Sequence, residues 1–256
     1  MLTFDAANLS DRDFDQILSF LRAGGVIGFP TDTAYGLGAD PFQESAVRRI
    51  FEIKGRPEAK PILVLVNSME MLKQIVDCSS VSGITELLAS RFWPGPLTMI
   101  LPVRSSDSGN VSRLVTAGTG TIGVRWPRSP FAARLVRAFG RPLTATSANK
   151  SGLPSTSSAD EVRAQLGMDL EMLIDGGDLA NPQGSTILDL TQSTVSRHLF
   201  GTMRRGRKVG GAIPKLRRII EYCRPALAPA PFAIPDLLSQ SLAASASGPA
   251  SWNPVD

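Results

Sequence analysis

Apolar residues recur along this chain in two rhythms, and the switching between them predicts a mixed α/β fold. Phe14, Ile17, Leu18 and Leu21 fall at the three-and-four spacing of one helix face, between Ser10 and Gly24, so a capped amphipathic helix is expected there. Val26, Ile27 and Phe29 form a short apolar run that stops at Pro30, which reads as a strand. Helical spacing returns between Gln43 and Ile53, where Val47, Ile50 and Phe51 alternate with Arg48, Arg49 and Glu52. Pro57 and Pro61 then bar continuation and release the chain into a strand over residues 62–66. Residues 69–76, 84–92 and 130–139 read as helices, and Ser158 with Glu161 caps another short one. Strands are expected after the Pro-Gly turn at Pro94-Gly95, at 121–126, after Pro142 and at 172–175. Residues 184–191 and 194–200 suggest a hairpin, whereas Thr31 to Asp40 and Ser105 to Ser112 read as polar loops. From Pro225 onward the periodicity fades into Pro, Ala and Ser, and a flexible tail is expected.

Strands alternating with helices, with no internal repeat, imply a twisted mixed sheet flanked by helices. With 256 residues, 43% of them hydrophobic, the chain can bury one sizeable core. A net charge of +4 and a pI near 9.4 are compatible with nucleotide or nucleic-acid ligands and equally with an ordinary basic surface. Cys78 and Cys223 are far apart and outside any C-x-x-C spacing, so neither a disulfide framework nor a zinc site is encoded. No run approaches the roughly 18 apolar residues of a membrane span. The first residues are acidic where a targeting peptide is basic. A soluble cytoplasmic protein is therefore the expectation.

The chemistry concentrates between Phe29 and Val66. Thr31, Asp32 and Thr33 follow the first strand beside Gly36 and Gly38, and Lys54, Arg56 and Lys60 gather just before the next one. Cations and hydroxyls at strand mouths suit an anionic ligand, through charge-assisted hydrogen bonds to phosphate or carboxylate. Thr121/Arg125, Ser147/Asn149/Ser155, Ser185/Thr186 and Arg204 stand at other strand ends; gathered at one edge they make a concave basic cavity, and left apart they merely solubilise. Other chemistries lack their residues. Gly118, Gly120 and Gly123 match G-x-G-x-x-G by letter but lead into a strand, where the dinucleotide fingerprint opens a helix. The alternation from Thr121 to Trp126 puts Thr121, Gly123 and Arg125 on one face. Walker A, G-x-S-x-G and H-E-x-x-H motifs are absent. The single histidine, His198, lies in an apolar strand and reads as structural. Asn149-Lys150-Ser151 is formally a glycosylation sequon, discounted without a secretion signal.

The segments PTDTAYGLGADPF, KGRPEAKP, FWPGPLT, TIGVRWP, TSANKSG and GSTILDL, in this order, resemble the YrdC-like family of L-threonylcarbamoyladenylate synthases over roughly Phe14 to Gly206. The resemblance implies a YrdC-like catalytic domain over residues 1–210 and a C-terminal extension over 211–256. It implies threonine held by Thr33, Arg125, Ser185 and the backbone of Ala145, with Arg125 facing the carboxylate. ATP would be surrounded by Lys54, Arg56, Lys60, Thr121, Ser147, Asn149, Ser155 and Arg204, with Lys54 and Arg56 as the catalytic pair. At Leu65 some relatives carry histidine. The implied reaction converts L-threonine, bicarbonate or CO₂ and ATP into threonylcarbamoyl-AMP and pyrophosphate. Mg²⁺ accompanies the ATP, no protein side chain ligates metal, and the product passes to a tRNA threonylcarbamoyltransferase. The rival reading is a non-catalytic tRNA- or double-stranded-RNA-binding module of the same fold. It would use Arg204, Arg205, Arg207, Lys208, Lys215, Arg217 and Arg218 as phosphate contacts, although aromatics for stacking are sparse. Relatives acting in hydrogenase maturation form part of much longer chains.

Overall fold

The structure, a computed structural model, describes residues 1–77, 79, 82–104, 111–180, 184–191 and 197–198. Helix α1 (Asp11–Arg22) begins with a full capping box: Ser10 Oγ accepts from the Asp13 N–H, and the Asp13 carboxylate accepts from the Ser10 N–H. Its buried face is Phe14, Ile17, Leu18 and Leu21, as the spacing predicts. α1 packs on α6 (Pro130–Phe139), where Phe131 meets Phe14 edge-on with centroids 6.5 Å apart and the Arg134 guanidinium lies 4.1 Å over the Phe14 ring. The other expected helices are α2 (Glu44–Lys54), α3 (Met69–Ile75), α4 (Ser82–Phe92) and α7 (Ala159–Leu166). The one-turn α5 (Arg113–Thr116) falls where a loop ending is expected.

The mixed α/β class holds, and the strands pair as two mixed sheets. The first runs β1 (Leu2–Asp5), β9 (Met172–Asp175), β2 (Ile27–Pro30), β3 (Tyr35–Gly38), β8 (Thr146–Ser147). The second runs β11 (Arg197–His198), β10 (Thr186–Asp189), β5 (Leu97–Pro102), β6 (Thr121–Arg125), β4 (Val64–Leu65), β7 (Leu143–Thr144). β10 and β11 are antiparallel, which is the expected hairpin pairing. β6 is a strand, as the rejection of the dinucleotide fingerprint requires.

Two strands depart from the expectation. β1 is an unanticipated edge strand, parallel to β9. β3 occupies part of what reads as a polar loop: it pairs antiparallel with β2, Phe29 opposite Gly36 and Ile27 opposite Gly38. Close packing requires the glycine at Gly38 and leaves Gly36 in ordinary contact. A Cβ at Gly38 would lie 2.9 Å from the Phe29 ring and 3.2 Å from Leu143, and one at Gly36 would lie 3.4 Å from the same ring.

The segment after Pro142, expected as one strand, is divided at Ala145. Thr144 ends the second sheet opposite Val64, and Thr146 begins the first sheet opposite Leu37. Ala145 donates its N–H to Leu63 O at 2.9 Å, while the Thr144 hydroxyl donates to Leu37 O and accepts from the Ala39 N–H. One short segment thus joins both sheets. Among the described residues no helix is long and apolar enough to cross a membrane. Cys78, Cys223, Arg204 and the 211–256 extension lie outside the described residues, as does the His198 side chain.

Candidate active site at the seam between the sheets

The turn linking β2 to β3 is closed by its own side chains. Thr31 Oγ1 donates to Ala34 O at 2.7 Å and accepts from the Thr33 N–H at 3.2 Å. This turn from the first sheet overhangs the end of β6 in the second, where Arg125 is 2% exposed. Arg125 Nη1 donates to Thr33 Oγ1 at 2.5 Å and Nη2 to Thr31 Oγ1 at 3.2 Å, with the Asp32 carboxylate 3.8 Å from Nη1. Among the described residues, Arg125 Nε and Asp32 Oδ1 are buried without a hydrogen-bond partner. Burial lowers the Arg125 pKa, and the Asp32 charge opposes that shift. A guanidinium stays protonated in proteins, so the seam holds a desolvated positive charge.

Around that charge lies a pocket of about 350 Å³, counting its open mouth. Six residues expected at the site line it: Thr33, Arg125, Ala145, Ser147, Ser155 and Ser185. They come from both sheets and from the loops that adjoin their strands. Ser185, just before β10, is 2.8 Å from the Thr98 hydroxyl of β5. Thr31, named with the polar turn, also lines the pocket.

Lys54 and Asn149 meet behind the pocket wall. Lys54 Nζ donates to Ser147 O, to Asn149 O at 2.8 Å and to Asn149 Oδ1 at 3.2 Å. Burial, with Arg56 adding like-charge repulsion, pulls the Lys54 pKa down to about 7. Asn149 is itself buried, its amide donating to Lys150 O at 2.9 Å and Leu153 O at 2.6 Å. Arg56 braces the following loop, Nη2 donating to Pro61 O at 3.0 Å and Nε to Lys60 O at 3.4 Å, and burial lowers its pKa. Lys60 is exposed. Thr121 stands at the far end of β6, its hydroxyl 3.0 Å from that of Thr119. At about 3.3 Å per residue it lies roughly 13 Å along the strand from Arg125. Leu65 is fully buried, and Leu63, two residues earlier, lines the pocket instead.

Sequence reasoning missed Tyr35, Ala34, Leu63 and Gly184 among the lining residues, while Gly36, named beside the polar turn, is among them. Tyr35 also ties β3 to the end of β9, because its hydroxyl donates to Gly177 O at 2.7 Å and accepts from the Gly176 N–H at 2.9 Å; burial raises its pKa. The alternation Tyr35, Leu37, Ala39 against Gly36, Gly38 was the available signal for a strand.

Such a pocket can grip a small anion by a buried guanidinium and orient its remainder by hydroxyls and backbone. Among the described residues no group of three or more His, Cys, Asp or Glu could hold a metal ion. The buried guanidinium and the hydroxyls around it suit positioning and charge neutralisation.

Comparison with known proteins gives a consistent set of similarities. The Sua5/YciO/YrdC family model, described as "Telomere recombination", matches residues 19–206. The chain is 43% identical over 173 residues to a threonylcarbamoyl-AMP synthase from Pyrococcus abyssi, covering 68% of this chain and 49% of that one. To the protein of the same name from Vibrio parahaemolyticus it is 35% identical over 185 residues, covering 72% and 98% respectively. Among solved structures, P. abyssi Sua5 complexed with L-threonine superposes with a TM-score of 0.69 at 38% identity, covering 77% of this chain and 56% of that one. The chain spans about half the length of the relatives from P. abyssi and Bacillus subtilis.

Proposed function

The chain belongs to the Sua5/YciO/YrdC family, and from that premise we propose that it is an L-threonylcarbamoyl-AMP synthase, joining L-threonine, bicarbonate or CO₂, and ATP. The observation that carries the reading is the buried Arg125, held by the hydroxyls of Thr31 and Thr33 at the floor of a pocket lined by Ser147, Ser155 and Ser185. A relative covered over 98% of its length bears the synthase name, and a structural neighbour was crystallised with L-threonine.

In this reading the threonine carboxylate lies toward Arg125, and Thr33, Ser185 and the Ala145 backbone orient the rest. The amine of threonine combines with CO₂ to give a carbamate and a proton. A carbamate oxygen then attacks the α-phosphorus of ATP, the bond to the β-phosphate oxygen breaks, and pyrophosphate leaves. ATP would enter as its Mg²⁺ complex, the ion supplying charge neutralisation at the phosphates with no protein side chain assigned to it. Lys54, Arg56, Lys60, Thr121, Ser147, Asn149, Ser155 and Arg204 are the residues assigned to the surround of the nucleotide. Neither step needs a protein nucleophile, in keeping with the positioning chemistry of the pocket. The product goes to a tRNA-modifying transferase.

The test is pyrophosphate release by the purified protein with ATP, threonine and bicarbonate, each omitted in turn. Release is expected only in the complete mixture, together with an adenylate of threonylcarbamate. Salt-sensitive tRNA binding without ATP consumption would instead favour the RNA-binding module.

A further inference from the structure

The ammonium of Lys54 carries three hydrogens and no acceptor. All three are engaged: Ser147 O, Asn149 O and Asn149 Oδ1 surround it, and the residue is only 2% exposed. The same two segments are joined in the reverse direction, since Ser151 N–H donates to Lys54 O at 2.8 Å and Lys150 Nζ to Ile53 O at 2.8 Å. The loop between Ser147 and Ser155, whose two ends line the pocket, is therefore strapped to the last turn of α2. Gly55 turns the chain at that helix end and sends Arg56 away, toward Lys60 O and Pro61 O.

We propose that Lys54 is a positioning residue that holds the Ser147–Ser155 loop in place for the nucleotide and does not itself touch phosphate. A phosphate oxygen reaching Nζ would have to displace one of three oxygens already bound, two of them backbone carbonyls. Arg56, half-buried, its guanidinium bonded among the described residues to two carbonyls of its own loop, is the cation of the Lys54-Gly55-Arg56 motif left for the ligand side. This assignment rests on the synthase reading for its kinetic arm, and its spectroscopic arm is independent of it.

Two measurements test it. In wild-type protein with ¹⁵N-labelled lysine at pH 6, the Lys54 ammonium is expected as a slowly exchanging signal without ligand, its shifts nearly unchanged on adding Mg²⁺-ATP. A signal absent without ATP, or moved strongly by it, overturns the proposal. Kinetically, Lys54→Met and Asn149→Ala release the same strap, so each is expected to raise KM for ATP about tenfold or more and leave KM for threonine within about threefold. The double variant is expected within about threefold of the worse single one. Multiplied losses, or equal losses on both substrates, overturn it. If wild-type protein releases no threonine-dependent pyrophosphate, the synthase reading fails, and the ammonium signal still decides whether Lys54 is a strap.

Discussion

Arg125 keeps its charge while buried, so changing its shape while preserving that charge separates geometry from electrostatics. Lysine at this position cannot span Thr31 and Thr33 while presenting a planar face to a carboxylate. Arg125→Lys is expected to raise KM for threonine by roughly 10- to 100-fold, the equivalent of about 1.5–3 kcal/mol for a hydrogen bond to a charged group. Steady-state pyrophosphate release at varied threonine measures this; an unchanged KM would move the carboxylate elsewhere. Lys54 makes a prediction about stability. In the fold it holds its proton only to about pH 7, whereas the unfolded chain holds it to about 10.4. Between those values the unfolded state binds more protons, so stability rises with pH, by at most about 1.4 kcal/mol per pH unit. Below pH 7 both states are protonated and the contribution is flat. Urea midpoints of wild type and Lys54→Met from pH 6 to 9.5 are expected to diverge across this window, and parallel curves would refute the depressed pKa.

At the scale of elements, α2 shows how local chemistry aims functional side chains. Gly55 adopts φ 58°, Arg56 N–H reaches back to Phe51 O at 3.0 Å and Gly55 N–H to Glu52 O at 3.1 Å, a Schellman ending. An added Cβ at Gly55 meets nothing within 4 Å, so the cost of Gly55→Ala is conformational alone. It is expected at about 1 kcal/mol, or roughly 2–4 °C in Tm for a chain of this size. Thermal unfolding checks the value, and a far larger loss would mean that the turn does more than end the helix. The helices α1, α2 and α6 were legible because their signals lie within a dozen neighbouring residues. β3 was not: Gly36 and Gly38 read as loop residues until the strand pairing is seen, with the Phe29 ring and Leu143 filling the space a side chain at Gly38 would occupy. β4 and β7, two residues each, are strands only by virtue of their partners.

For the molecule as a whole, the pocket draws its lining from both sheets, so a ligand bound there stabilises the fold that brings them together. Threonine with Mg²⁺-ATP, at about 100 times its dissociation constant, contributes roughly 2.7 kcal/mol. At about 2–4 °C per kcal/mol, Tm is expected to rise by some 5–10 °C. A melting temperature indifferent to both ligands would argue against binding at the seam.

What the sequence determined by itself was whatever depends on near neighbours: the caps, the helix faces, the proline stops, and the hydroxyls and cations set at strand ends. It also carried the expected site residues Thr33, Arg125, Ala145, Ser147, Ser155 and Ser185, which meet in one pocket. Tertiary structure alone decided that the strands divide into two sheets at Ala145, that Thr121 stands at the opposite end of its strand from Arg125, and that Lys54 points into the back of a loop. The physical reason is that these depend on which distant carbonyl, ring or hydroxyl lies opposite. A side chain's residue type states what it can donate, and only the fold supplies the acceptor.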